Sequence, residues 1–223
     1  ESDNVLNGHA GNDVLFGGEG NDTFNMNGPD GGRWGADTFY GGLGNDTFYV
    51  YAGTGSDSVV EYANEGRDTV KINLTSEYTL SENVEALIVF LNDDDKVLTG
   101  NNLANTIASK GGNDLIYGLG GDDIIYCGAG NDVLSGGAGN DQFVFYAGDG
   151  QNIIIDFSIT MDNCYVANNV GNKVDIIEYE NVSETQNIGG NAVLTLFDGT
   201  SITLEGISHY LPIAENIDSG LVA

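Results

Sequence analysis

Residues 100–144 read GNNLANTIA SKGGNDLIY GLGGDDIIY CGAGNDVLS GGAGNDQFV, five nine-residue units in unbroken register. Position 8 of each unit is a large apolar residue (Ile107, Ile116, Ile125, Leu134, Phe143), and position 6 is Asn105 followed by Asp114, Asp123, Asp132 and Asp141. This period matches neither a helical nor a simple hairpin rhythm, but it suits a turn of about six residues followed by a strand of about three. Two such units close one coil of a flattened solenoid. The position-8 side chains then point inward and stack at the strand spacing of about 4.8 Å. Glycine at positions 1, 2 and 4 answers a backbone need, because tight turns require positive φ or a close approach that a Cβ obstructs. One coil is too thin to bury a core alone, so stacking has to supply it.

Stacking also has an electrostatic consequence. Units two apart place their position-6 carboxylates on one edge, Asp114 with Asp132 and Asp123 with Asp141. Two unit charges about 4 Å apart at an effective dielectric near 20 repel by roughly 4 kcal/mol, and the penalty recurs along the ladder. A positive counter-ion is required. Carboxylate and turn-carbonyl oxygens, in a chain with 2 histidines and 2 cysteines, select Ca²⁺ over zinc or copper. Mg²⁺ is disfavoured because it prefers a compact, partly hydrated octahedral shell.

These units resemble the G-G-x-G-x-D-x-U-x repeat of the RTX (repeats-in-toxin, haemolysin-type) calcium-binding family, and several tandem copies in register make the match specific. The resemblance implies an all-β fold: a right-handed parallel β-roll (β-solenoid) with a C-terminal antiparallel β cap, forming the C-terminal region of a type I secreted protein. It also implies several Ca²⁺ ions held between turns one coil apart, by position-6 carboxylates and by backbone carbonyls of the first four residues of a unit. Carried onto this sequence, the carboxylates are Asp13, Asp22, Asp37, Asp46, Asp114, Asp123, Asp132 and Asp141, with Asn105 in the corresponding place of its unit. The turn glycines assigned to the sites are Gly11, Gly18, Gly20, Gly41, Gly112, Gly118, Gly120, Gly121 and Gly136.

Outward from the decisive stretch, four regions are expected. Residues 1–49 form a first repeat block, containing GHAGNDVLF and GGEGNDTFN, a break at MNGPD, then GGRWGADTFY with one extra residue and GGLGNDTFY. The insertion is expected to bulge from a turn and expose Trp34, either as a sugar-stacking platform or as a local packing residue. Residues 50–99 are degenerate β-solenoid coils with strand-like segments SDSVVEY, DTVKINL and EALIVFL. Reduced signatures there make Asp57 and Asp68 further calcium half-sites, or else ordinary turn residues before a strand. The run Asp93-Asp94-Asp95 lacks the spacing of an EF-hand loop and reads as a solvated turn. Residues 100–156 are the second block, closing on a segment where Asn152 stands in place of the family's Asp and Asp156 remains a candidate ligand. Residues 157–223 read as antiparallel β, with a hairpin turning at Asp198-Gly199, and cover the exposed end of the solenoid.

With 6 basic and 34 acidic residues the net charge is -28, which opposes nucleic acid and anionic membrane as partners. The longest apolar run, Ala86 to Leu91, is far too short for membrane insertion. A disulfide between Cys127 and Cys164 has no motif behind it. No G-x-S-x-G or H-E-x-x-H occurs, His9 sits in a repeat turn, and the repeated aspartates are accounted for by metal, so catalysis is not expected. The expected partners are calcium, an upstream passenger domain of the same polypeptide and, as the rival reading of a carbohydrate-binding or adhesin module, extracellular polysaccharide. The chain starts in mid-repeat at Glu1, as a piece of a longer protein would, and the expected location is secreted, extracellular or at the cell surface.

Overall fold

The computed structural model describes residues 2–9, 11–25, 35–51, 57–73, 76–158, 161–167, 174–176, 182–188, 191–196 and 199–207. The strands in chain order are β1 (Val5–Leu6), β2 (Val14–Glu19), β3 (Thr23–Asn25), β4 (Thr38–Leu43), β5 (Thr47–Tyr51), β6 (Ser58–Val60) and β7 (Thr69–Asn73). Then come β8 (Glu77–Thr79), β9 (Ala86–Val89), β10 (Val97–Thr99), β11 (Thr106–Ala108), β12 (Leu115–Gly120), β13 (Ile124–Tyr126) and β14 (Val133–Ala138). The last are β15 (Gln142–Tyr146), β16 (Gln151–Ile154), β17 (Asn163–Ala167), β18 (Val174–Ile176), β19 (Val182–Ile188), β20 (Asn191–Leu196) and β21 (Ser201–Leu204). The described residues contain no helix, and so none long and apolar enough to cross a membrane.

Strands alternate between two faces. One face is a single ten-stranded sheet in the order β1-β3-β5-β7-β9-β11-β13-β15-β17-β18. The opposite face is divided into β2-β4-β6 and an eight-stranded sheet ordered β19-β20-β21-β16-β14-β12-β10-β8. Pairing is parallel from coil to coil, with Ile107 opposite Ile125 and Ile116 opposite Leu134, as two nonapeptides per coil require. In the first block the coil lengthens, so that Leu15 pairs with Phe39 and Phe24 with Phe48. The extra residues are accommodated without disturbing strand register. Trp34 lies outside the described residues.

Position 8 is the core. Ile107, Ile116, Ile125 and Phe143 are fully buried and Leu134 nearly so, and the column continues through Phe24, Phe48, Val70, Leu87 and Leu98. Phe24 and Phe48 stack with ring centroids 4.8 Å apart, the coil spacing made visible in one contact. Each fully buried side chain of this size contributes about 1.5–3 kcal/mol, and only a neighbouring coil removes it from water. Cys164 occupies the same column, opposite Phe143, which explains a buried thiol. Both cysteines are free, so no disulfide joins Cys127 to Cys164.

The carboxyl end is antiparallel only in part. β17 and β21 extend the two solenoid faces in parallel, against β15 and β16, and only then does the chain reverse, β18 against β17 and β19-β20-β21 as a meander. The expected hairpin is β20–β21, with Gly199 at φ 91°. Parallel strands need no turn signal between them, so their joining was not legible in residues 157–190.

Candidate metal centre

Each repeat turn is held by two hydrogen-bond ladders running in opposite directions. The position-6 N–H donates forward to the position-6 side chain of the next coil: Asn105 to Oδ1 of Asp123 (2.7 Å), Asp123 to Asp141 (3.0 Å), Asp114 to Asp132 (2.8 Å) and Asp22 to Asp46 (2.6 Å). The position-5 N–H donates backward: Asn113 to Oδ1 of Asp95 (2.6 Å), Asn131 to Asn113 (3.0 Å) and Asn45 to Asn21 (2.7 Å). Positions 2 and 4 take left-handed backbone, as at Gly137 (φ 94°) and Gly139 (φ 153°), and Leu119 holds it at φ 81° despite its side chain.

Oδ1 is thus used by the fold; Oδ2 is not. Oδ2 of Asp13, Asp22, Asp46, Asp123, Asp132 and Asp141 is buried without any hydrogen-bond partner. A buried, unpaired carboxylate oxygen is costly, so six repeated instances point to cation sites. Position 1 supplies the space. A Cβ on Gly118 would stand 2.1 Å from Asp123 Oδ2 and 2.5 Å from the Gly136 carbonyl, and on Gly17 it would stand 2.3 Å from Asp22 Oδ2 and 2.6 Å from the Gly41 carbonyl. No carbon fits between these oxygens. A carboxylate of one coil and a carbonyl of the next converging on one small space are the hard donors that Ca²⁺ takes, at about 2.3–2.6 Å.

Electrostatics agree. Burial pushes Asp123 up to about 7, the charges of Asp141 and Asp122 adding to it and the Asn105 N–H opposing it. Asp132 rises to about 7 and Asp68 to about 7 for the same first reason, and Asp57, Asp114 and Asp141 are also raised by burial. Without metal these carboxyls hold a proton more tightly than a solvated carboxyl does.

The structure sorts the expected residues onto two edges. Asp22, Asp46, Asp68, Asn105, Asp123 and Asp141 precede strands of the ten-stranded face; Asp13, Asp37, Asp57, Asp114 and Asp132 precede strands of the divided face. Asp57 and Asp68 are ladder members, bonded to the N–H groups of Asp37 (3.0 Å) and Asp46 (2.8 Å). Asp156 stands off the ladder, accepting from Ser135 Oγ (2.6 Å) and the N–H groups of Gly136 (3.1 Å) and Gly137 (2.9 Å). Asn152 keeps the ladder bond, accepting from the Asp132 N–H at 2.9 Å, but brings no charge. Among the glycines, Gly41, Gly118 and Gly136 are position-1 spaces, while Gly11, Gly18, Gly20, Gly112 and Gly121 carry positive φ. Gly120, at position 3, does neither: a Cβ there would meet nothing closer than 3.4 Å.

Sequence reasoning missed four features. The position-5 asparagines form the backward ladder, a signal present in every GND triplet. Glu61 and Glu85 act inside the irregular coils, Glu85 taking the N–H of Asp68 at 2.7 Å. Lys96 fills position 6 of its coil, buried, its N–H on Asp114 Oδ1 (2.8 Å) and its ammonium on the carbonyls of Asp94 and Asn92. On that same edge position 1 is Ser109, whose hydroxyl donates to Asp114 Oδ2, and Cys127, whose thiol is held protonated by burial and by Asp132 and Asp149.

The family model for the RTX calcium-binding nonapeptide repeat (four copies) matches residues 1–25, 32–48, 99–134 and 127–154. These are RTX repeats. RTX nonapeptides bind several Ca²⁺ ions, and the matched stretches supply described strands that stack as a parallel β-roll. No curated protein matches the chain. Among solved structures it is similar to the crystal structure of the extracellular lipase LipA from Serratia marcescens, at 17% identity and a TM-score of 0.40, over 89% of this chain and 37% of that one. The chain thus spans little more than a third of that lipase.

Proposed function

We propose that this RTX module is a calcium-triggered folding unit of a longer exported protein, held unfolded where calcium is scarce and folding outside the cell to stabilise a passenger domain. The observation that carries the reading is the repeated buried Oδ2 without a partner beside a position-1 glycine space. The ligands are Asp22, Asp46, Asp68, Asp123 and Asp141 on one edge and Asp13, Asp37 and Asp57 on the other, completed by position-1 carbonyls, whereas Asp114 and Asp132 have Ser109 and Cys127 at position 1 in place of a glycine space. Bound calcium supplies the charge that both ladders lack.

The consequence is thermodynamic coupling. Thin coils gain their core only by stacking, and stacking without metal buries uncompensated carboxylates, so the free energy of binding becomes free energy of folding. Calcium sites of extracellular modules work at about 10⁻⁴–10⁻³ M, a concentration met outside the cell and not in the cytoplasm. Export through a narrow channel would then meet an unfolded chain. Far-ultraviolet circular dichroism during a calcium titration tests the reading, with magnesium at equal ionic strength as control. A cooperative rise of β signal with calcium alone is expected; a spectrum already complete in chelator would overturn it.

A further inference from the structure

Outside the matched repeats, β6 pairs with β4 so that Glu61 follows Val60 where Gly41 follows Tyr40. One coil earlier, the equivalent place beside Gly17 is lined by Asp22 Oδ2 and the backbone carbonyl of Gly41. At Glu61 that arrangement changes. Its backbone carbonyl accepts from Asn83 Nδ2 at 3.0 Å, and its side chain enters the space instead, with Oε1 1.9 Å from where a Gly41 Cβ would lie and Asp46 Oδ2 at 2.3 Å from the same point.

Asp68 completes the group. Asp46, Glu61 and Asp68 are 1%, 4% and 1% exposed, and one carboxylate oxygen from each lies within 4.8 Å of the others. Their remaining oxygens are engaged by the fold: Asp46 Oδ1 with the Asp22 N–H, Asp68 Oδ1 with the Asp46 N–H, and Glu61 Oε2 with the Gly42 N–H at 3.3 Å. Asp46 Oδ2 and Glu61 Oε1 have no partner. The nearby cations are used elsewhere, Arg67 on Thr106 Oγ1 at 2.9 Å and Lys71 over the Tyr49 ring.

From this juxtaposition we infer that Asp46, Glu61 and Asp68 form a three-carboxylate Ca²⁺ site, built by Glu61 where the nonapeptide pattern ends, and that it fills before the repeat sites. The inference rests on the calcium-binding reading above. Elsewhere a position-1 carbonyl offers a dipole; here a carboxylate offers a full charge. Calcium affinity rises with the number of charged ligands and with the rigidity of the site, and all three side chains are held by backbone donors, those to Asp46 and Asp68 buried. All donors are oxygen, which excludes a preference for zinc or copper. The site sits between the first block and the irregular coils, so its occupation orders the junction from which both neighbours stack.

The test is calcium uptake by the full chain, followed by equilibrium dialysis and metal analysis across free Ca²⁺ concentration, with circular dichroism in parallel. Glu61→Gln is expected to shift the first filling phase to higher calcium by about tenfold or more, with later phases unmoved. Glu61→Gly, which restores the residue of an ordinary repeat and cannot crowd the space, is read by the same criterion should the amide fail to fold. A smaller shift in the folded variant overturns the three-carboxylate site while leaving the module's calcium binding intact. A wild-type chain that takes up no calcium overturns both.

Discussion

On one edge of the second block position 1 is Gly100, Gly118 and Gly136; on the other it is Ser109 and Cys127, with Lys96 one coil before Asp114. The position-6 aspartates are alike on both edges and make the same forward ladder. What differs is what meets Oδ2. Beside Gly118 and Gly136 the oxygens of Asp123 and Asp141 face an open space and are orphaned. Across the roll, Ser109 bonds Asp114, the charge of Lys96 favours the Asp114 carboxylate, and Asp132, whose Oδ2 also makes no hydrogen bond, has its rise opposed by the Cys127 thiol. The comparison teaches that the aspartate alone does not make the site. Position 1 decides whether a cation or a side chain answers it, and on the proposed reading the glycine edge carries the calcium dependence of this block.

The sharpest way to break the comparison is to close a glycine space. Gly118→Ala puts a methyl group against Asp123 Oδ2 and the Gly136 carbonyl, and overpacking of this kind costs about 1–3 kcal/mol before any lost ion is counted. It should raise the calcium midpoint of folding by about tenfold or more, since tenfold corresponds to about 1.4 kcal/mol. Ser109→Ala, by contrast, abandons the Asp114 oxygen at a cost of about 1–3 kcal/mol without closing a cation space, so it should raise the midpoint less than Gly118→Ala and leave the number of bound calcium ions unchanged. Equal midpoints for the two would erase the distinction between edges.

Removing the carboxylates themselves should give a smaller contrast. Asp123→Ala deletes an Oδ1 that holds the Asn105 N–H and an Oδ2 that faces the space, so calcium-dependent stability should fall by about 2 kcal/mol or more. Asp114→Ala loses the ladder bond to the Lys96 N–H and the carboxylate charge near the Lys96 ammonium, and its cost should be the same at limiting and at saturating calcium. Denaturant midpoints measured in both conditions separate them. A larger calcium-dependent loss for Asp114→Ala would reverse the assignment.

The smallest effect is on pH. A carboxyl whose folded pKa is raised contributes stability that is fully present below its unfolded value and is lost as pH rises through the folded value. Asp123 and Asp132, moved from 3.8 to about 7, therefore favour the calcium-free fold at acid pH and cease to do so above about 7. In calcium-depleted buffer the residual β signal should be larger at about pH 5 than at about pH 8. Saturating calcium should remove the Asp123 share, leaving the pH dependence of the Asp114–Asp132 edge. A β signal growing toward alkaline pH without calcium would contradict the raised carboxyls.

Much of this was legible in the nonapeptides. Position 8 named the core residues, since an apolar side chain every nine residues has one inward place to go, and position 6 named the ladder. The alternation of Gly118 with Ser109 and Cys127 was written there too, but acquires meaning only once two units are counted per coil. Glu61 was not legible. It acts through its register with Gly41 across β4 and β6, a pairing that the irregular chain after Tyr49 does not announce. Lys96 was hidden similarly, since a lysine at an aspartate position reads as a lapse of the repeat until its ammonium is seen on turn carbonyls.

The two faces also differ in continuity. The ten-stranded face runs unbroken from β1 to β18, whereas the other is interrupted between β6 and β8. Under a bending load this is a one-sided notch: flexing that widens the β6–β8 gap separates no paired strands among the described residues and strains the Asn83–Glu61 bond across it, while flexing the opposite way must stretch the continuous spine. Compliance is thereby given a direction, and its pivot lies one strand from Glu61.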